Sequence, residues 1–357
     1  MKKLLKVILC ILIAIVVIAA AYAAYLFIAS HRIGDNTALT VEGGSASADR
    51  PETGKTYKLV SWNIGFGAYE DDYGFFMDGG TQSWAWSKER LDANLKAIAE
   101  RIKTDKADFY YVQEVDIDST RSNHFDEREY VTAAFDNCWY TFAQNYDSPF
   151  LMYPLTQPHG ISRAGLMVFS TFKIDSAVRR ELPIESGFSQ FMDLDRCFSV
   201  NRIPTANGKE LVLMNFHLSA YTSDGKIAYE QLRIILDCMQ EEYKKGNYVI
   251  AGGDFNKDIL GDSSVYFGKS DIEYTWAQPI PPETFDGYPV TLVKPLNEAS
   301  PVPSCRNADG PYHQGQYVLT IDGFMVTDNI KVVGADVIDT QFKYSDHNPV
   351  YMEFILN

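Results

Sequence analysis

Cysteine is scarce and scattered: the chain has 357 residues and five cysteines, Cys10, Cys138, Cys197, Cys238 and Cys305, with no CxxC pair among them. That excludes a disulfide-built scaffold and disfavours a thiolate metal centre; the favoured reading is buried apolar thiols, with one disulfide among Cys138, Cys197, Cys238 and Cys305 left open. An excess of positive charge is also missing. Thirty-two Lys and Arg stand against 47 Asp and Glu, a net charge of -15. A surface that acidic repels phosphate backbones unless a local patch or bound cations reverse the field, so general nucleic-acid coating is disfavoured. There is no internal repeat. The polar excess that marks disorder is absent too, because hydrophobic residues make up 46% and charged residues 22%. That is a globular balance, and it excludes coiled coils and collagen-like repeats as well.

Residues 4–28 are apolar apart from Lys6, with Lys2 and Lys3 ahead of them. As a helix this run spans about 37 Å, enough to cross a hydrocarbon core of about 30 Å with some tilt. Tyr22, Tyr25 and Phe27 fall near its outer end, where an interfacial aromatic belt lies. The basic start puts the N-terminus in the cytoplasm and the remaining chain outside, as a single-pass protein of the cell membrane. The rival is a cleaved signal peptide with Ala21-Tyr22-Ala23 at its cleavage site. The run exceeds the roughly 7–15 residues of an ordinary signal-peptide core, which favours an uncleaved anchor. Both readings export the domain.

Ser30 to Thr56 is rich in Gly and Ser and poor in apolar residues, so it reads as a flexible tether reaching about 25–30 Å. The expected division is an anchor over 1–29, a linker over 30–56 and one domain over 57–357. Strands are expected at Tyr57–Ile64, Phe109–Val115, Gly165–Ser170, Leu211–Leu218, Tyr248–Gly253, Val318–Val326 and Val350–Ile355. Helical spacing of Leu91, Leu95, Ile98 and Ile102 predicts a helix over Lys88–Lys103. Ile227, Leu232, Ile235, Leu236 and Met239 predict another over Lys226–Lys245, stopped by Gly246. Many strands with few helices imply an α/β fold, two packed sheets with helices outside. Ser263–Gln316 reads as long loops at one edge of the sheets.

Polar residues fall at strand ends or inside apolar runs in six places. Asn63 ends one run, Gln113-Glu114 another, His217 a third and Gly253-Asp254-Phe255-Asn256 a fourth. Asp322 interrupts the run Tyr317–Val326, and Ser345-Asp346-His347-Asn348-Pro349 precedes the last strand. Singly, each has a dull explanation as a turn former, helix cap or satisfied core histidine. Together they match metal-assisted hydrolysis. Glu114, Asp254 and Asp346 offer hard oxygens to Mg²⁺ or Mn²⁺. Asn63 and Asn256 can hold a phosphoryl oxygen without adding charge repulsion. His217 and His347 can move protons or neutralise an oxyanion.

Ser-Trp-Asn-Ile at 61–64, Gln-Glu-Val-Asp at 113–116, Asn-Phe-His-Leu at 215–218, Gly-Gly-Asp-Phe-Asn at 252–256, Ile-Asp-Gly-Phe at 321–324 and Ser-Asp-His-Asn-Pro-Val at 345–350 resemble the ordered motifs of the endonuclease/exonuclease/phosphatase superfamily. The resemblance covers about residues 57–357. It implies a four-layer α/β sandwich with its site at one end of the two sheets. By matching motif it implies Glu114 as the main Mg²⁺ ligand, helped by Asn63, with Asp346 completing the metal or water network. Asp254 would orient or activate the attacking water, and Asn256 would bind the phosphate. His347 would contact the scissile phosphate, with Asp322 fixing its tautomer or holding the other imidazole, and His217 would be the second catalytic imidazole, acting as acid or phosphate ligand. Gly65 stands where abasic-site nucleases typically carry an acidic residue, and the two-histidine pattern resembles the deoxyribonuclease and sphingomyelinase branches instead.

For the substrate, Phe66, Tyr69, Tyr73, Phe75, Phe76, Trp84 and Trp86 form either an aromatic rim near the metal or a loop folded over its own side chains. No Lys or Arg occurs from Asn63 to Ser87, which argues against a groove tracking long DNA. Arg163 is a candidate for reaching a phosphate, and Arg179-Arg180 reads as solvated surface. The expected activity is an exported, membrane-tethered, Mg²⁺-dependent phosphoesterase cleaving a phosphodiester of a small or lipid-linked phosphate. A DNase-like endonuclease is the alternative within that class. A non-catalytic binding domain on the same scaffold is the alternative outside it, and the intact polar set counts against it. No protein partner is inferable.

Overall fold

Strands that are apolar on both faces must be covered on both, and this chain has two sheets of them. The computed structural model describes residues 2–30, 32–44, 49–185, 194–220, 226–272 and 276–357. One seven-stranded sheet runs β1 (Thr37–Ala38), β7 (Ser176–Glu181), β8 (Cys197–Pro204), β9 (Glu210–His217), β10 (Tyr248–Asp254), β14 (Asp322–Thr327), β11 (Val290–Val293). The other runs β15 (Ile330–Val337), β16 (Val350–Leu356), β3 (Thr56–Asn63), β4 (Phe109–Asp116), β6 (Arg163–Ser170), β5 (Trp139–Asp147), β2 (Val41–Gly43). Neighbours β3–β4 and β9–β10 are parallel and the other neighbours are antiparallel, so both sheets are mixed. A two-stranded ribbon joins β12 (Cys305–Arg306) to β13 (Val318–Leu319).

Between the sheets, Leu59, Tyr111, Val168 and Met352 pack against Leu211, Leu213, Ile250 and Phe324. Helix α2 (Lys88–Asp105) covers the outer face of the second sheet with Leu91, Leu95, Ile98 and Ile102, and α4 (Lys226–Lys244) covers the first with Leu232, Ile235, Leu236 and Met239. The result is the four-layer α/β sandwich. Helix α2 starts where the Ser87 side chain accepts from the Arg90 N–H, and it stops at left-handed Lys106. Two short helices, α3 (Glu127–Thr132) and α5 (Ser264–Phe267), lie in the connections. The expected strand Val318–Val326 is broken between Leu319 and Asp322, which turns Asp322 into the first residue of β14. The expected loop region from Ser263 to Gln316 carries β11 at the sheet edge, with 273–275 outside the described residues.

Helix α1 (Lys2–Ala29) is long and apolar enough to cross a membrane, and Leu26 is its one buried side chain among the described residues. The stretch 30–56 differs from a free tether. β1 pairs with β7 and β2 with β5, extending one edge of each sheet; residues 31 and 45–48 lie outside the described ones. Arg179 explains part of this and corrects its reading as solvated surface. Its guanidinium is buried and donates to the carbonyls of Ile33, Gln144 and Asp195 at 2.7–2.8 Å. A charge with that many carbonyl partners holds the chain that supplies them. Arg180 pairs with Asp35 at 2.9 Å. All five cysteines are free thiols.

Helix α4 is fixed to its sheet by charge as well as by packing. Glu242 accepts from Arg202 (2.7 and 3.0 Å), Lys245 (2.7 Å) and Asn247 (2.8 Å). Burial opposes its charge, but these donors outweigh burial and hold its pKa at about 2, below the ordinary 4.5. A depressed folded-state pKa stabilises the fold above the unfolded value, and that stabilisation is lost as pH falls towards the folded one. Glu242→Gln should therefore lower the unfolding free energy in urea by about 1–3 kcal/mol at neutral pH. The gap to the wild type should close as the pH approaches about 2; a gap independent of pH would refute the assignment.

Candidate active site

Strand register brings the polar residues to one level. In parallel β9–β10, His217 lies opposite Asp254, and in antiparallel β10–β14, Asp254 lies opposite Asp322. On the other sheet, parallel β3–β4 sets Asn63 opposite Gln113. Glu114 is then re-aimed by a bulge, since the β4–β6 register shifts between Val112 and Val115 and Glu114 takes φ +55°. Bulges and left-handed non-glycine residues are stored strain that recurs at functional sites. The end of β10 is squeezed hard against its neighbours. A Cβ on Gly253, at φ +138°, would lie 2.0 Å from the Phe216 carbonyl oxygen, so no larger residue fits before Asp254.

The two sheets are locked together just beneath this level. Gln113 Nε2 donates to Asn215 Oδ1 (2.7 Å) and Ser61 Oγ (3.1 Å), and Asn215 Nδ2 donates back to the carbonyls of Val112 (3.1 Å) and Met167 (2.8 Å). Tyr111 adds a hydrogen bond to the Ile250 carbonyl at 2.9 Å. These side chains are buried.

Above the lock, Asp254 is the hub. Its Oδ2 accepts from Asn63 Nδ2 at 3.1 Å and lies 3.5 Å from His217 Nε2 and 3.7 Å from His347 Nε2, while Oδ1 accepts the Asn256 N–H at 2.8 Å. Asn63 Nδ2 also donates to Glu114 Oε1 at 3.1 Å, so one amide sits between carboxylates from opposite sheets. Asn63 Oδ1 accepts the Gly65 N–H at 3.0 Å. His347 Nδ1 and Asp322 Oδ2 are 2.8 Å apart, and Ser304 donates to the same oxygen at 2.7 Å. Asn256 donates to the Leu218 carbonyl at 2.7 Å.

The ionisation states diverge. Burial pushes Asp254 up to about 7, with Asp322 adding repulsion while His347 pulls the other way. Burial likewise raises Asp346 to about 6. His217 is driven well below the ordinary histidine range by burial and by nearby Arg196. Burial also opposes the charge on His347, yet Asp322, in contact with the ring, and Asp346 outweigh it and hold the imidazole well above that range. One histidine is thus neutral and the other cationic, the separation that assigns acid and base roles. His217 Nδ1 and Asp322 Oδ1 are buried with no hydrogen-bond partner among the described residues.

Glu114, His217, Asp254, Asn256, Asp346 and His347 open into one cavity of about 990 Å³, with Asn63 and Asp322 standing behind them. Arg163 is apart. It is half-exposed, pairs with Asp118 (2.9 Å) and Asp147 (3.4 Å), and does not line the cavity, because its position at the start of β6 faces it to Asp147 on β5. The cations that do face the cavity are Arg121, Arg196 and Arg306. Arg121 chelates Asp116 with two hydrogen bonds at 2.8 and 3.0 Å, lies 3.9 Å from Glu114 and stacks 4.0 Å over Phe66. None carries a sequence signal, since a lone Arg in a polar loop looks like solvated surface. The aromatic segment satisfies both of its readings. Phe66, Tyr69, Tyr73 and Phe75 stack on one another in the core, while Tyr69, Phe75 and Phe76 also line the cavity.

The donor set suits a hard divalent cation. Glu114, Asp254 and Asp346 bring three carboxylates to the cavity, and the neighbouring Cys305 is kept a thiol, its pKa raised to about 12 by burial. Asp254, Asp322 and His347 offer ligand atoms within 4.8 Å of one another, but Asp322 and His347 are already committed to each other by a hydrogen bond.

Residues 60–347 match the Endonuclease/Exonuclease/phosphatase family. Among solved structures, an endonuclease/exonuclease/phosphatase from Beutenbergia cavernae DSM 12333 aligns at TM-score 0.55 and 18% identity, covering 85% of this chain and 72% of that one. ANGEL2, a 2',3'-cyclic phosphatase in complex with adenosine-2',3'-vanadate, aligns at TM-score 0.55 and 16% identity over 89% and 98% of the two chains. The human Nocturnin catalytic domain with a bound sulfate anion aligns at 0.52 and 16%, over 89% and 98%. At such identities the likeness is one of fold. No curated protein matches the chain in sequence.

The inter-sheet lock has a direct test. Asn215→Leu keeps the branched shape but removes one acceptor from the Gln113 amide and the donor to two carbonyls, so unfolding in urea should need about 2–4 kcal/mol less than for the wild type. An unchanged midpoint would show that the lock does not bind the sheets.

Proposed function

The chain belongs to the endonuclease/exonuclease/phosphatase family, whose named activities all hydrolyse phosphate esters, and from that premise we propose that it is an exported, membrane-tethered, Mg²⁺-dependent phosphodiesterase acting on a small or lipid-linked phosphate. Residues 57–357 form the catalytic unit on this reading, and α1 holds it at the cell membrane with the N-terminus inside. The observation that carries the reading is Asp254, a buried carboxylate within 3.1–3.7 Å of an amide and of two imidazoles whose surroundings push their titration in opposite directions.

Glu114 and Asp346 would hold the cation, with Asn63 adding its amide oxygen. When bound, Mg²⁺ supplies Lewis acidity towards the phosphoryl oxygen and offsets the site's negative charge. Asp254 holds a water and accepts its proton as the water oxygen bonds to phosphorus. The ester P–O bond opposite breaks, and the departing alkoxide takes a proton. His347, kept cationic by Asp322 behind it, donates Nε2–H to a phosphoryl oxygen where charge builds. Neutral His217 and the Asn256 amide orient the phosphate, and Arg121 adds a fixed positive charge beside Glu114. A binding domain without turnover has no use for this split of ionisation states. A DNase-like role would call for a basic track outside the cavity, whereas the described residues at its mouth include apolar Met77, Tyr153 and Leu155.

The full chain in detergent should hydrolyse bis(p-nitrophenyl) phosphate only with Mg²⁺ or Mn²⁺; turnover persisting in excess chelator would exclude the metal. Asp254→Asn and His347→Ala should each lower kcat by at least about 10²-fold while staying folded by circular dichroism. Arg163→Ala should stay within about twofold of the wild type, and a large loss there would return Arg163 to the site.

A further inference from the structure

The cavity above Asp254 has an unusual wall, which is α1 itself. Ile15, Ile18, Tyr22 and Leu26, one face of the apolar helix, line the same cavity as Glu114, Asp254 and His347. The loop across from that face, residues 148–162, carries no Asp, Glu, Lys or Arg in a chain of net charge -15. Along it, Phe150, Met152, Tyr153 and Leu155 are exposed, Leu155 by 81%.

Much of the backbone of this loop is hydrogen-bonded within the protein. The Phe150 N–H donates to Tyr25 Oη (2.9 Å), the Met152 N–H donates to Tyr22 Oη (3.0 Å), and Tyr22 Oη donates to the Phe150 carbonyl (3.1 Å). Leu151 and Gly160 exchange both of their backbone hydrogen bonds, and the Tyr153 carbonyl accepts the His159 N–H. Leu151 packs on Leu26 and Tyr22. Irregular backbone is tolerated next to hydrocarbon only when its polar groups find partners within the protein. Here the anchor's own hydroxyls supply several of them. Tyr22 and Leu26 lie about 9 and 3 Å below Ile28 along the helix axis, at the depth where interfacial side chains insert.

Resting on the phosphodiesterase reading, we propose that the 148–162 loop is inserted beside α1 in the outer leaflet, and that the substrate is a phospholipid of that bilayer whose headgroup phosphate reaches Asp254 and His347 along the α1 wall. The chemical step is the hydrolysis already described. Aliphatic chains stay against Ile15, Ile18 and the loop, so the lipid need not leave the membrane. An acidic protein body that repels free phosphate anions from solution loses nothing by taking its substrate from the membrane side.

The test uses the full chain in vesicles of phosphatidylcholine, phosphatidylglycerol and sphingomyelin, with Mg²⁺, assayed in parallel on vesicle lipid and on soluble bis(p-nitrophenyl) phosphate. Wild type should release headgroup or phosphorylated headgroup from vesicle lipid. Phe150→Asp, at an exposed loop position that does not line the cavity, should lower that turnover at least about tenfold, because a charge resists insertion, while soluble-diester turnover stays within about twofold. Val333→Asp, at an exposed apolar site on edge strand β15, should change neither. Independently, Leu155→Trp should be quenched by brominated lipid. Hydrolysis of the soluble diester without any of vesicle lipid, or equal losses on both substrates for Phe150→Asp, would overturn the proposal, as would an unquenched Trp. If neither substrate is hydrolysed, the phosphodiesterase reading fails, and with it the lipid substrate, whereas quenching still decides whether the loop is inserted.

Discussion

The site depends on holding two sheets at a fixed offset. Asn63 and Glu114 belong to one sheet, Asp254 and His217 to the other, and sliding one sheet along the other would carry the two sets apart. Apolar packing between the sheets is strong but undirected, so it cannot choose among offsets by itself. The buried exchange between Gln113 and Asn215 can, since each amide has directional partners that exist at one offset only. Buried polar groups of this kind add little net stability when paired but are heavily penalised when misaligned.

The same offset concentrates negative charge. Asp254 and Asp346 are raised by burial, and Asn63 spreads its amide between Glu114 and Asp254. Such an arrangement is tolerated because strain and desolvation at this end are carried by a large apolar body, four layers deep, that over-determines the backbone. Gly253 and the bulge at Glu114 show where the backbone yields to aim side chains.

Much of this is legible in the residues. Apolar runs of five to eight residues ending in Asn, Glu, His or Asp announce strands whose ends point the same way, and in β3, β4, β9 and β10 those ends do meet. Helices α2 and α4 announce themselves through period. Strands β5 and β8 do not, because Gln144, Asn201 and Arg202 break their alternation, Gln144 bonding along its own strand and Asn201 and Arg202 serving interlayer and cross-strand hydrogen bonds. Arg179 and Arg163 were indistinguishable by composition. Only tertiary context decides that the first is buried among carbonyls and the second is paired on the outside. For the same reason a Gly- and Ser-rich stretch reads as slack chain, although its short extended pieces complete sheet edges.

The buried guanidinium of Arg179 relocates the practical frontier of the catalytic body. Because it clasps the Ile33 carbonyl, only four positions past the end of α1, a soluble version begun near Tyr57 would strip β1 and β2 and take away that cation's partner on the N-terminal segment. A truncated protein with poor yield would then report a damaged edge rather than a faulty active site, and the natural place to cut is the short span between Ala29 and Ile33.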